Sequence, residues 1–552
     1  MADAPGTYHL ADLWEAVVPH VADRTALVCG DRRCTYAELA DRVDRLAAWL
    51  HQAGVGPGDH VGVHLVNGIE YLEALLAAWS LRAVPVNVNF RYQAGELAHL
   101  YSDAGVVGVV HQRSFAPRIA AIADEVSVGW YLAVEDPPGQ AVADEVDVVA
   151  ALDRIGSVPY EEAVTGTEPG GPWPARSDDD RYVIYTGGTT GLPKGVVWRQ
   201  EDAFFACIGG GDPMRLQGPV SSPGEVLERI VGGPFVFFPV APLMHAAGQW
   251  TALSWLLAGG TVVLLPGSLD PHAVWQAVAD EGVNVMAVVG DAVVRPLLDA
   301  WDEHGGYEVP SLISIGSGGA PLSPVLKERL MAALPDVGVV DGFGSSETGA
   351  QGSQRLEPGE RPGGGVTAFR PYGEVTAVLD ETSLAPVAPG SGVVGRVALR
   401  GHIPLGYHND PDKTAATFVE SGGERWVLTG DLATVEADGQ ITLLGRGSAC
   451  INTGGEKVYP EEVEATLKAH PAVYDVTVVG VPDERWGQAV TAVVQPVAGA
   501  EPTAEELVSH VRGALAGYKV PRRVVLVDEV VRSPAGKPDH RWARSVAEAA
   551  AG

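Results

Sequence analysis

The run Thr186-Gly187-Gly188-Thr189-Thr190-Gly191-Leu192-Pro193-Lys194-Gly195 gathers four glycines, two adjacent threonines and a lysine. Glycines let main-chain amides approach and face a phosphate, the hydroxyls add donors, and Lys194 supplies a cation. The loop therefore predicts phosphate binding, with an ordinary glycine-rich turn as the other reading. It is not a Walker A loop. That motif places Gly before its Lys and Ser or Thr after it, whereas here Pro193 precedes Lys194 and Gly195 follows.

The stretch Tyr185 to Gly195 resembles the signature of the superfamily of acyl-CoA synthetases, peptide-synthetase adenylation domains and luciferases. Its extension Val196-Val197-Trp198-Arg199-Gln200-Glu201-Asp202 is similar to the branch of fatty and steroid-side-chain acyl-CoA synthetases. Further segments resemble that family's motifs in the same order along nearly the whole chain. The resemblance gives Thr186, Gly187, Gly188, Thr189, Thr190, Gly191 and Lys194 to the ATP phosphates, with Thr189 also at the metal. Pro242-Leu243-Met244-His245 brings His245 to the acyl pocket and the reacting carboxylate, beside Gly248, Gln249 and Trp250. Gly318, Gly319, Ala320 and Pro321 match the turn that lies against adenine. Phe343-Gly344-Ser345-Ser346-Glu347 resembles a motif usually written Tyr-Gly-x-Thr-Glu, in which Glu347 helps hold Mg²⁺, an ion that favours carboxylate and phosphate oxygens. Gly349, Ala350 and Gln351 then continue the acyl pocket.

Asp431, in Thr429-Gly430-Asp431, fits the family aspartate that accepts both ribose hydroxyls, a task suited to a carboxylate with two acceptor oxygens. Arg446 follows at the nucleotide. Ser448 stands where the family pivots on an aspartate, and a small residue there still absorbs backbone change. Gly454, Gly455, Glu456 and Lys457 resemble the loop framing the pantetheine tunnel. Lys537, in Ser533-Pro534-Ala535-Gly536-Lys537, matches the lysine that touches carboxylate and α-phosphate during adenylation.

These resemblances imply activation of a carboxylic acid by ATP and Mg²⁺ to an acyl-adenylate, then transfer to coenzyme A. Lys537, His245 and Glu347 are the expected catalytic residues. Amino-acid-activating relatives carry an aspartate for the α-ammonium, and Pro242-Leu243-Met244-His245 offers none. The small and aromatic neighbours point instead to a bulky apolar acid. Three other readings use the same fold: a nitrite-activating diazotase acting on an aryl amine, an acyl-AMP ligase loading a carrier protein, and a nucleotide sensor without catalysis. The last would be expected to lack Lys537 or Glu347, and both are present. Homodimers are common in the family, so a dimer is a family expectation.

Positioning such residues needs more than one domain, and 552 residues suffice. Apolar residues at helical spacing from Tyr36 to His51, with Thr35 before and Gly54 after, predict a helix. Val61 to Leu65, Ala83 to Val88, Tyr182 to Tyr185, Val262 to Leu265, Val285 to Val289, Leu312 to Ile315 and Val337 to Val340 read as strands. Alternation of this kind predicts an α/β architecture. The expectation is a large N-terminal domain (1–445) of mixed, largely parallel sheets packed with helices, followed by a small mobile α+β domain (446–552) hinged near 446–448. Glu135 to Asp180, rich in Pro, Gly and acids, reads as an irregular surface segment.

The 38 basic and 70 acidic residues leave a formal charge of −32. Such a surface repels nucleic acid and anionic membrane, so neither is an expected partner. Four cysteines without CxxC spacing suggest neither zinc nor a redox pair. The N-terminal residues carry no basic start and no apolar run, so a cytoplasmic location is expected. Gly232 to Ser268 has no charged residue, but its prolines and glycines predict a buried strand-loop-helix-strand rather than a membrane span.

Overall fold

The computed structural model describes residues 5–138, 145–187, 192–360, 368–453, 456–483, 485–532 and 537–550. Two large sheets and one small one carry the chain. In the first, the strands Thr25–Cys29, Thr261–Leu264, Val236–Pro239, Val285–Val288, Ser314–Ser317 and Gly338–Ser345 lie side by side and parallel. Antiparallel strands extend that sheet through Gly349–Leu356 and Ala368–Pro371 to Ile441–Arg446 and Glu424–Val435. In the second, Val84–Asn87, His60–His64, Val106–Gln112 and Trp130–Val134 are parallel, and Arg181–Thr186 joins them through Val86↔Val183. The architecture is the expected α/β one of mixed sheets with a smaller C-terminal unit.

Between the two large sheets lie helices with little polar surface. One apolar cluster takes Leu27 and Val262 from the first sheet and Val61 and Ile184 from the second. Every residue of helix Ile69–Ser80 is buried, including Glu70 and Glu73. Buried carboxylates require partners. Arg32 meets Glu70 at 2.6 Å, while Arg42 and the Tyr160 hydroxyl hold Glu73. Helix Tyr36–Gln52 begins at Thr35 with a reciprocal capping box to Glu38, as its sequence predicts.

The uncharged stretch folds as strand Val236–Pro239, a loop, helix Ala246–Leu257 and strand Thr261–Leu264. Among the described residues no helix is long and apolar enough to cross a membrane. One expectation is corrected. Between Glu135 and Asp180 the chain forms helix Glu145–Ile155, the short strand Val158–Pro159 and helix Tyr160–Thr165. Ala151, with Leu152 and Ile155 beside it, packs on Ala116 and Ala120, so a narrow apolar stripe inside an acidic stretch suffices to build a helix there.

The third sheet comprises Glu456–Val458, Ile451–Thr453, Gly487–Pro496, Val473–Asp483 and Arg523–Leu526. Helices Pro460–Lys468 and Ala504–Ala514 cover one face. Helix His540–Ala549 packs Ala543 and Ala547 against Val479, Val481 and Val493.

Candidate active site

The glycine-threonine loop joins two strands whose ends are in register. Arg181–Thr186 and Lys194–Arg199 pair antiparallel, with Tyr185 opposite Gly195 and Thr186 opposite Lys194. Gly188, Thr189, Thr190 and Gly191 lie outside the described residues. A side chain at Gly195 would start 2.8 Å from the Tyr185 ring and 3.1 Å from His408, so glycine is needed for the close return of the chain. Buried Asn87 ties this hairpin to the histidine segment. Its side-chain amide donates to the Tyr185 carbonyl at 2.8 Å and the Met244 carbonyl at 2.7 Å, and its oxygen accepts from Tyr185 N.

Lys194 Nζ meets Asp410 Oδ2 at 2.5 Å. The hydrogen bond from Lys194 holds the Asp410 carboxyl below its ordinary value. Asp410 also caps helix Pro411–Thr417 through Lys413 N. Lys413 lies over the Tyr407 ring, 4.5 Å from its centroid, and Tyr407 donates to Glu347 Oε1 at 2.8 Å. Burial and then the neighbouring Lys194 lower the Lys413 ammonium. A line of charged groups thus runs from the loop to Glu347.

Glu347 follows a turn bonded within itself: Ser345 N donates to Thr348 Oγ1, Glu347 N to Ser345 Oγ, and Trp198 Nε1 to the Ser346 carbonyl. Phe343 stacks on Phe369, with centroids 4.5 Å apart. The neighbouring strands Val285–Val288 and Ser314–Ser317 end nearby, and Gly318, Gly319, Ala320 and Pro321 leave the second of them. Gly290 sits so close beneath this turn that a side chain would start 2.5 Å from the Pro321 carbonyl. A crevice at the carboxyl ends of parallel strands is where α/β folds bind ligands.

His245 immediately precedes helix Ala246–Leu257. Among the described residues its Nε2 is buried without a hydrogen-bond partner. Burial, then the cations Lys537 and Arg91, lower the imidazole to about 4, so it is neutral near pH 7. Behind it, Gly248 is pressed against the Pro242 carbonyl, 2.6 Å from where a Cβ would stand. Gln249 is held in the core: Tyr182 donates to its oxygen, and its nitrogen donates to Tyr71 and the Leu243 carbonyl. Trp250 Nε1 donates to the Tyr182 hydroxyl at 2.8 Å. Nearby, Phe204, Ile208, Val226 and Leu257 line a void of about 10 Å³, roughly one water's worth of space.

Asp431 and Arg446 face each other across antiparallel strands, with Arg446 Nε 3.5 Å from Asp431 Oδ1. Gly445 has φ +117°, and the Glu461 carboxylate occupies the place of a side chain, 2.0 Å from an ideal Cβ. Burial, with Glu464 close by, raises Glu461 to about 7.

Lys537 reaches this cleft from near the C-terminal end of the chain and keeps contact with solvent at its mouth. Its ammonium is lowered by burial and by Arg446, against the opposing pull of Glu347 and Asp431. The four motif residues His245, Glu347, Asp431 and Lys537, spread over almost three hundred positions, are thus electrostatic neighbours. Glu456 and Lys457 are not brought there. They are exposed on strand Glu456–Val458, with Lys457 close to Cys450. Gly454, Gly455 and Ser533 to Gly536 lie outside the described residues. Ser448 falls in a single 3₁₀ turn, Gly447–Ala449, after strand Ile441–Arg446.

The C-terminal unit is latched to the first sheet's helices. Lys468 Nζ lies 2.8 Å from Asp291 Oδ2 and 3.6 Å from Asp475, which Arg532 also grips. Burial opposes the Lys468 charge, but Asp291 and Asp475 prevail and raise its pKa. Arg295 stacks over Tyr474 at 4.6 Å beside this pair.

A family described as AMP-binding enzyme matches residues 14–408, and one described as AMP-binding enzyme C-terminal domain matches 462–537. The chain is 44% identical to the medium/long-chain-fatty-acid-CoA/3-oxocholest-4-en-26-oate-CoA ligase of Mycolicibacterium smegmatis over 98% of this chain and 96% of that protein. It is 43% identical to the 3-oxocholest-4-en-26-oate-CoA ligase of Rhodococcus rhodochrous over 97% and 95%. Among solved structures, ATP-bound MatB from Rhodopseudomonas palustris superposes with a TM-score of 0.78 at 26% identity, over 97% of this chain and 98% of that one.

Proposed function

Because the chain belongs to the AMP-binding enzyme family, we propose that it activates a bulky apolar carboxylic acid with ATP and transfers the acyl group to coenzyme A. It is an AMP-forming acyl-CoA ligase in this reading. Fatty and steroid side-chain acids, the substrates named for its relatives, are the acids to test first. The observation that carries the reading is that Lys537 lies within electrostatic range of His245, Glu347 and Asp431.

A carboxylate is a poor acyl donor because its leaving group would be oxide. Attack of a carboxylate oxygen on the α-phosphorus forms an acyl–O–P bond and breaks the bond to pyrophosphate. Two anions must approach. At about 4 Å their repulsion is ~4 kcal/mol for an effective dielectric near 20, so cations at the meeting point lower the barrier. Lys537 serves the carboxylate and α-phosphate, and Lys194 the outer phosphates once released from Asp410. Neutral His245 offers its unpartnered Nε2 as a hydrogen-bonding group beside the reacting acid. Asp431 holds the ribose hydroxyls. Glu347, oriented by Tyr407, would hold a Mg²⁺ ion, which favours carboxylate and phosphate oxygens. That ion would neutralise charge on the departing pyrophosphate.

In the second reaction the thiol attacks the acyl carbonyl and AMP leaves. The unit 446–552 then turns about 446–448 relative to 1–445, withdrawing Lys537 and bringing Gly454, Gly455, Glu456 and Lys457 to the pantetheine path. Lys537→Ala is expected to slow acid-dependent pyrophosphate release about a hundredfold or more, ~2.7 kcal/mol. Thioester formation from supplied acyl-AMP should be spared. Equal loss in both assays would overturn the role of Lys537.

A further inference from the structure

Lys194 Nζ lies 2.5 Å from Asp410 Oδ2, and the two side chains are 38% and 27% exposed, so the pair is open to solvent. Asp410 is brought there by a segment laid along the strand that Lys194 opens. Gly406 pairs with Val197 and Tyr407 with Val196, while Leu405 N donates to the Val197 carbonyl at 2.8 Å and His408 N to the Gly195 carbonyl at 2.7 Å. Asn409, at φ +52°, then turns the chain in a left-handed conformation that asparagine tolerates better than most residues. Its side-chain amide donates to the Asp103 carbonyl at 2.9 Å.

Asp410 has contacts that do not depend on Lys194. Its Oδ1 accepts from Lys413 N at 3.0 Å, capping helix Pro411–Thr417, and its carbonyl accepts from Thr414 Oγ1 at 2.8 Å. The Lys413 ammonium also lies within electrostatic range. If Lys194 turns to another anion, the carboxylate therefore keeps its cap bond and a second cation. Among the described residues, Asp410 is the one carboxylate paired with Lys194.

The same segment bears on Glu347. Tyr407 N donates to Thr414 Oγ1 at 2.9 Å, and the Tyr407 hydroxyl donates to Glu347 Oε1 at 2.8 Å. The helix that Asp410 caps thus helps to orient the carboxylate assigned to Mg²⁺. A variant that tests the charge of Asp410 must keep the cap.

We propose that Asp410 competes with the outer phosphates of ATP for Lys194 and takes the ammonium back as pyrophosphate departs. The inference rests on the ligase reading above and adds to it a residue that sets how tightly the polyphosphate is held. The exchange is ionic: the Lys194 ammonium keeps its protons and changes its acceptor from a phosphate oxygen to Asp410 Oδ2. Ion pairs this open hold weakly, so a polyphosphate with several charges displaces a single carboxylate. A grip that is equally strong on ATP and on pyrophosphate would lower KM without raising kcat. Asp410 loosens that grip by offering Lys194 an alternative partner at hydrogen-bonding distance.

The test uses Asp410→Asn, which removes the charge and keeps an oxygen for Lys413 N, since asparagine caps helices as well as aspartate. The full chain is titrated calorimetrically with ATP and with pyrophosphate, each with Mg²⁺, and with AMP. Asp410→Asn should bind ATP and pyrophosphate about fivefold more tightly, ~1 kcal/mol. AMP, which has no outer phosphates, should bind both proteins alike. Pyrophosphate should inhibit thioester formation at correspondingly lower concentration, with KM for the acid unchanged. In a Lys194→Met background the same substitution should no longer alter ATP binding, because the partner it competes for is gone. Asp410→Ser, also a good cap, carries the same expectations if the asparagine variant folds poorly. ATP bound equally or more weakly by these variants would show that Asp410 merely holds Lys194 in place, and would overturn the exchange. A parallel gain for AMP, or a gain that persists without Lys194, would overturn it too. Failure of the unaltered chain to bind either ATP or pyrophosphate overturns the ligase reading together with the exchange, whereas binding that the substitutions leave unmoved overturns the exchange alone.

Discussion

His245 and Glu461 both depart far from their ordinary titration, and in both burial comes first among the causes. For His245 the result is a neutral ring near pH 7. For Glu461 it is a carboxyl poised at about 7, raised from 4.5, facing Glu464 and Asp431 and accepting from Arg446 N. A carboxyl whose folded value is raised becomes a burden as it ionises. The contact between Glu461 and the Gly445-Arg446 strand therefore weakens as pH rises from about 4.5 through 7 and stays weak above. Adenylation, which the proposed mechanism assigns to this arrangement, should decline relative to thioester formation between about pH 6 and pH 8, and Glu461→Gln should flatten that trend. A ratio of half-reaction rates insensitive to pH in the unaltered protein would remove this role. His245, Glu347, Asp431 and Lys537 were legible in the sequence because each lies in a short ordered motif. Asn87, Tyr407, Asp410 and Glu461 were not: each acts on a partner far away in the chain, and no local spacing announces a tertiary contact.

Hydrophobic runs mark an element where run and element coincide, as in Tyr36–Gln52 and the strand Arg181–Thr186. They part where the site needs small residues. Leu312 to Ile315 is the apolar run, but the strand is Ser314–Ser317, because Gly316 and Ser317 carry the backbone onward to the turn at Gly318. Helix Glu145–Ile155 is hidden in the sequence because its apolar stripe is narrow and its surroundings acidic. Helix Pro460–Lys468 makes a contact that no motif predicts, the buried pair of Lys468 and Asp291. Removing one partner of such a pair leaves an uncompensated charge, at a cost of about 3–5 kcal/mol. Lys468→Met should therefore slow adenylation by tenfold or more, measured as pyrophosphate release, while thioester formation from acyl-AMP persists. Adding Asp291→Leu should recover part of the loss. Equal decline of both half-reactions would mean that the pair supports the fold in general rather than this docking.

Over the whole molecule, a formal charge of −32 surrounds a cleft in which Lys194, Lys413, Arg446 and Lys537 converge. Anionic substrates are thus attracted at one place and repelled across most of the remaining surface. The same cleft holds the close approach of Gly445 to Glu461. Gly445→Ala should depress adenylation strongly, about a hundredfold, because the added methyl meets both an unfavourable backbone angle and the carboxylate. Thioester formation from supplied acyl-AMP should survive, and Glu461→Ala added to that variant should restore some of the lost rate. Loss of both activities, with a lowered Tm, would mark a folding defect instead. If the rates divide as expected, the hydrogen atom that serves as the side chain of residue 445 is a clutch: it lets the nucleotide-closing posture engage, and one carbon more would leave the machine idling in its later stroke.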